Sequence, residues 1–178
     1  MTKFFRMKNE IPRFDSNLNI TNKLSKILKV EDFLLLCNCI NELRGCKPKL
    51  RYKSNPNFSV QEIYNIWKDM GRGIIVIQTD TNYILGAYQS NVQSGNKNGE
   101  EERTVISVNF TKRFYVNSNI KGPNKTQENE IFYFTDNLAL SASGSDNKSW
   151  HNLNPSTENK NKILEYFKVK EVEIFDVA

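Results

Sequence analysis

A chain of 178 residues, 38% hydrophobic, 11% aromatic and 25% charged, has enough apolar material for one domain with its own core, which excludes wholesale disorder. No apolar run approaches the roughly 20 residues of a membrane-spanning helix, and the opening MTKFFRMKNEIPRF lacks the unbroken apolar stretch of a signal peptide, so a cytoplasmic protein without a membrane span is expected. Three cysteines and a single histidine fit neither a disulfide framework nor a zinc spacing, so neither metal nor cofactor is expected.

The formal net charge of +5 is concentrated at the start. Between Met1 and Val30 seven Lys and Arg stand against two Asp and Glu, which marks residues 1–23 as a basic arm ahead of a domain spanning residues 24–178. Such an arm can touch RNA or an acidic surface. Its aromatics, however, do not interleave with the charges on a regular element, so it reads as a solvated tail and no specific nucleic acid is expected.

The domain begins with a helix lying within Asn19 to Leu43. The acidic pair Glu31 and Asp32 suits the positive end of a helix dipole, and Gly45 and Pro48 stop the element. Phe33, Leu34, Leu36, Cys37, Ile40 and Leu43 recur at three-and-four spacing, so that face should be buried. Lys49 to Ser54 then alternates Leu50 and Tyr52 with polar residues, the pattern of a strand with one wet face. Ser59 and Glu62 form a capping-box pair, with Phe58 and Ile63 as its hydrophobic staple. Behind them Val60, Ile63, Tyr64, Trp67 and Met70 fall on one stripe of a helix that Gly71 is expected to end in the left-handed conformation.

GIIVIQTD and YILGAYQS, parted by TDTN, read as a hairpin rich in β-branched and aromatic residues. Ile74 to Ile77 is apolar without a break, which places that strand centrally with both faces covered. Gly86 interrupts its partner, where a missing side chain admits a bulge or a close backbone neighbour. Asn91 to Arg103 is polar and reads as a surface loop. TVISVNF with RFYVN, and EIFYF with NLALSAS, make two further strand pairs, and KVKEVEIFDVA is the last strand. About eight strands with two or three helices indicate an α+β, mainly β fold: a two-sheet antiparallel β-sandwich flanked by helices.

Candidate chemistry is sparse. His151 has no second histidine and no cysteine near it in sequence, and is expected at the surface. Cys37 and Cys39 lie two apart on a helix, point to different faces and read as inert thiols. Cys46, beside Lys47, has the better claim to reactivity because a nearby cation favours thiolate. Glu171 and Glu173 alternate on a strand with about 7 Å between them, close enough for paired acid-base work, although solvent-facing alternation is the preferred reading.

Three stretches, SKILKVEDFLLLCNCI, LRYKSNPNFSVQEIYNIWKDMGRGIIVIQTDTNYILGAYQS and FKVKEVEIFDV, resemble in that order the TLDc domain of the oxidation resistance proteins and their relatives. The likeness covers about Leu24 to Val177. NPN stands where the family carries an aspartate-glycine turn, Gly86 and Ala87 stand at its glycine pair, and KGPNKTQEN replaces a glycine-rich segment. Glu171 and Glu173 keep its terminal glutamate pattern. The resemblance implies a two-sheet sandwich flanked by helices, a role in protection against oxidative damage and, in several members, binding to the proton-pumping V-ATPase, with no established catalytic mechanism. The expected function is therefore a non-enzymatic interaction module whose partner is a protein, with V-ATPase subunits foremost. Glu171, Glu173 and Gly86 stand as candidate binding residues, and a thiol-dependent antioxidant enzyme using Cys46 is the alternative.

Overall fold

The computed structural model describes residues 3–6, 25–91, 93–94, 101–121, 129–153 and 163–177. They form two antiparallel sheets and two α-helices. In chain order the elements are β1 (Lys3–Arg6), α1 (Val30–Cys39), β2 (Lys49–Lys53), α2 (Val60–Asp69), β3 (Gly73–Thr79), β4 (Ile84–Gln89), β5 (Gln93–Ser94), β6 (Glu101–Asn109), β7 (Phe114–Lys121), β8 (Ile131–Thr135), β9 (Leu138–Ser141), β10 (Ser149–His151), β11 (Glu165–Phe167) and β12 (Val169–Asp176). The large sheet runs β1-β7-β6-β4-β3-β12-β2, with β5 added beside β6, and the small sheet runs β11-β10-β9-β8. The expected two-sheet sandwich flanked by helices is the fold observed.

Strand β3 shows why this sequence needs two cores. Side chains alternate across a strand, so Ile74 and Val76 enter one apolar cluster with Phe33, Leu36, Cys37 and Ile40 from α1. Ile75 and Ile77 enter the other with Ile63 and Trp67 from α2 and Phe132, Phe134, Leu138 and Leu140 from the small sheet. The unbroken apolar run thus serves two faces. Each buried aliphatic side chain contributes roughly 1.5–3 kcal/mol of transfer free energy, so the central position of β3 follows from its composition.

Helix α1 is entered much as its acidic pair predicts, for the Asp32 carboxylate accepts from the Lys29 backbone N–H at 3.4 Å. It stops sooner than expected. Ile40 is extended, with φ −122° and ψ 99°, and a separate 3-10 turn over Asn41–Leu43 follows. That break turns Leu43, fully buried, into the same cluster as α1, while Gly45 beyond it adopts a φ of +78°.

Helix α2 carries the expected cap, Ser59 Oγ accepting from the Glu62 N–H at 3.4 Å, and its stripe of Val60, Ile63, Tyr64 and Trp67 is buried. Its other end differs. Gly71 has no positive φ, and the chain instead leaves the helix through an extended Met70, at φ −78° and ψ 135°. Terminal helix carbonyls need donors, and here Gln89 supplies them: its Nε2 donates to Trp67 O at 2.8 Å and to Met70 O at 2.7 Å. With both carbonyls satisfied from β4, a left-handed glycine cap is not required.

The sequence reading undercounts the strands, since twelve are present among the described residues. Lys3–Arg6, within the stretch expected as an arm, pairs with Phe114–Asn117 of β7; residues 7–24 lie outside the described residues. The polar run from Asn91 to Arg103 contains β5 and the start of β6, which pair with each other. β10 and β11 are only three residues long, too short for a periodic signal to register.

Candidate functional site

Glu171 and Glu173 do not share a solvent-facing role. Beyond the register shift between Val169 and Glu171, the odd positions of β12 face α1, where Phe175 joins its cluster, and Glu173 is fully buried there. A buried carboxylate needs partners, and residues just before α1 provide them. Ser25 Oγ donates to Glu173 Oε2 at 2.5 Å and the Lys26 N–H donates to Oε1 at 3.0 Å. Lys53 Nζ lies 3.9 Å from Glu173 Oε1 and 3.7 Å from Glu171 Oε1, so one lysine serves both acids. Ser25 Oγ also accepts from the N–H groups of Ile27, at 3.1 Å, and Leu28, at 2.7 Å. Glu173 therefore anchors a strap, Ser25 to Leu28, whose Ile27 and Leu28 close the α1 core. An apolar recess beside the strap is lined by Leu28, Phe33, Pro48, Ile74 and Phe175 and brings no acid-base pair together.

Gly86 lies inside the large sheet, paired in regular register with Val76 and Val108. A Cβ there would stand 2.6 Å from the Ile75 carbonyl oxygen and 2.9 Å from the Phe110 ring. Close approach, not a bulge, is what this glycine permits.

The cation facing Cys46 is Arg72, from the turn between α2 and β3, and the sequence neighbour Lys47 makes no such contact. Arg72 Nη2 donates to Cys46 Sγ at 3.4 Å and to the Glu42 carbonyl, while Cys46 Sγ donates to that carbonyl at 3.2 Å. Arg72 Nε donates to the Tyr88 hydroxyl at 3.4 Å, and the hydroxyl donates to Glu42 Oε2 at 2.7 Å. Burial, then the bond to Glu42, pushes the Tyr88 hydroxyl up to about 12. Cys37 is of another kind: burial pushes its thiol up to about 12, and its Sγ points at the Leu43 carbonyl, 3.7 Å away. Cys39, half-buried, is raised by burial as well. Burial thus disfavours the thiolate at both helix thiols.

His151 is the clearest correction. Expected at the surface, it is only 2% exposed, because the even-numbered Trp150 takes the outward position on β10 and sends its neighbours between the sheets. There His151 Nε2 lies 3.5 Å from Glu165 Oε2, and Lys112 Nζ lies 3.5 Å from Glu165 Oε1. The ring Nδ1 accepts from the Leu153 N–H at 3.1 Å. Burial lowers the imidazole to about 4, with Glu165 opposing and Lys112 reinforcing the shift. Nearby, Asn109 Nδ2 donates to Leu153 O at 3.0 Å, and Ser107 Oγ donates to Thr135 Oγ1 at 2.7 Å. A polar layer thus lies between the sheets at one side of the apolar core. Single-letter spacing could not reveal it, since His151 and Glu165 meet only through the β10–β11 pairing.

The outer face of the small sheet carries aromatics that the sequence reading did not single out. Tyr133 pairs with Ala139, Ala139 with Trp150 and Trp150 with Tyr166, so these positions form one cross-strand row. Over the small Ala139 the rings of Tyr133 and Trp150 meet edge-on, 6.2 Å apart. Tyr166 is 57% exposed, and beside it Ile163 and Leu164 are 54% and 38% exposed. The alternating patterns of SWH and EYF were the available signal.

No hydrogen bond joins Cys46, His151 and Glu173 to one another among the described residues, and within those residues no group of three or more His, Cys, Asp or Glu could hold a metal ion. No described helix is long and apolar enough to cross a membrane. A scan against protein-family models finds no match, and comparison with curated proteins finds none either.

Proposed function

We propose that this protein is a TLDc-type interaction module that acts in the cytoplasm by docking onto a protein assembly, the V-ATPase, in protection against oxidative damage. The observation that carries a docking reading is the exposed apolar run of Ile163, Leu164 and Tyr166 beside the Tyr133–Trp150 pair. Contiguous exposed apolar surface and protruding Tyr and Trp are marks of protein interfaces. The resemblance in element order supplies the partner. Affinity capture with the full chain, read by mass spectrometry for V-ATPase subunits, tests it. Their recovery supports the reading; a capture without any of them sinks it.

A second reading, a thiol-dependent antioxidant enzyme, is favoured by one observation, the Arg72 guanidinium 3.4 Å from Cys46 Sγ. Oxidation by peroxide needs an accessible sulfur, and Cys46 is partly exposed. Replacing Cys37, Cys39 and Cys46 by serine would abolish peroxide consumption on this reading and leave it unchanged on the first.

A further inference from the structure

We propose that His151 is an acid-sensitive clasp whose neutral ring holds Leu153 against β6 and β7, and whose protonation lets that residue go while the imidazolium turns to Glu165. The geometry fixes the tautomer. Nδ1 accepts from the Leu153 N–H at 3.1 Å, so the ring proton sits on Nε2, facing Glu165 Oε2 at 3.5 Å. A second proton can be added only at Nδ1, where it would meet the Leu153 N–H head-on, donor against donor.

Protonation therefore exchanges one partner for another. The bond to Leu153 is lost, and the pair with Glu165 becomes ionic. The charged groups facing the ring are Glu165 from β11 and Lys112 from the β6–β7 turn. Its remaining neighbours, the Phe167 ring of β11 at 5.8 Å and the Leu153 amide, carry no charge. Lys112 already shares Glu165, which limits how well the carboxylate compensates an imidazolium while the ring stays buried.

What the clasp holds is lightly fastened beyond the Asn152 N–H, which donates to Asn137 O at 3.2 Å. Leu153 is fully buried with only Phe114 and Val116 in its cluster, and its carbonyl is tied by Asn109 alone among the described bonds. Asn152 Oδ1 is buried and has no hydrogen-bond partner among the described residues, a defect that release would repair by hydration. Burial holds the clasped ring near 4 against an ordinary 6.5. The released state therefore gains about tenfold per pH unit below the ordinary value, or about 100-fold two units down.

Hydrogen exchange of the full chain, followed amide by amide by NMR from neutral pH to about 4.5 and corrected for intrinsic exchange, tests this. The Leu153 amide should lose about 100-fold protection while Ile75, in the middle of β3, keeps its own. In His151→Asn an amide oxygen can replace Nδ1 without titrating, and Leu153 should stay protected throughout. Constant protection of Leu153 in the wild type, loss only in step with Ile75, or an equal loss in His151→Asn would each overturn the clasp. Should that variant fail to fold, the wild-type imidazole titration decides: its midpoint must lie well below the pH at which Leu153 begins to lose protection, and a midpoint at that onset would refute the coupling.

Discussion

Gln89, at the end of β4, closes the C-terminus of α2 by donating through one Nε2 to the carbonyls of both Trp67 and Met70, at 2.8 and 2.7 Å. A side chain 19 residues away in sequence from Met70 thus does the work usually left to a glycine. Its Oε1 is buried and has no partner among the described residues, so the residue is kept for its donors. Gln89→Leu strands two carbonyls and should cost about 2–3 kcal/mol. Gln89→Glu, which substitutes an acceptor facing acceptors, should cost more. Urea unfolding of the two variants gives both values, and a Gln89→Glu variant as stable as the wild type would refute the assignment.

The strap before α1 depends on Glu173. Glu173→Ala removes the acceptor for Ser25 Oγ and the Lys26 N–H and leaves Lys53 with Glu171 alone. A loss of about 3 kcal/mol is expected from breaking a buried charged group's hydrogen bonds. Ser25→Ala, which spares the Lys26 bond, should lose less. Amide exchange at Ile27 and Leu28 should accelerate in both variants, whereas exchange in α2 should not.

Stability should fall as the solution is acidified, and His151 sets part of the slope. Its folded-state value of about 4 lies below the ordinary 6.5, so between these two the unfolded chain binds a proton that the folded one refuses. Stability is therefore complete above about pH 6.5 and declines toward pH 4, by up to about 3 kcal/mol. Denaturation midpoints measured across that range should show the decline in the wild type and a shallower one in His151→Asn.

Gly86→Ala should be strongly destabilising. The added Cβ would meet the Ile75 carbonyl at 2.6 Å and Phe110 Cε2 at 2.9 Å, and overpacking of this kind costs about 1–3 kcal/mol or more. Adding Phe110→Leu should recover only a fraction, because the carbonyl belongs to the central strand and cannot swing aside. Thermal melts of the single and double variants decide the point.

The three thiols should separate on alkylation. Cys46 is partly exposed beside Arg72, whereas Cys37 is buried and its thiol is raised to about 12. Brief treatment of the native protein with iodoacetamide should label Cys46 first and leave Cys37 unmodified until the chain unfolds. Peptide mass mapping reads the order directly; Cys37 modified as fast as Cys46 would contradict the burial assigned to it.

Much of the fold follows from local chemistry in the chain itself. The cap at Ser59, the stripe from Val60 to Trp67 and the unbroken run from Ile74 to Ile77 each state their element and its burial, because side-chain periodicity mirrors backbone periodicity. Those signals were enough to place one strand centrally with both of its faces covered. The groups that could carry function were not legible in the same way. Glu173 looks like a wet-face residue until Ser25, 148 positions earlier, is folded over it, and Cys46 gains its cation from Arg72, 26 residues away. His151 meets Glu165 only because two three-residue strands pair. Local periodicity is written in neighbouring residues, whereas the solvation and charge around an ionisable group are set by whichever distant segments pack against it, and only the tertiary structure decides those.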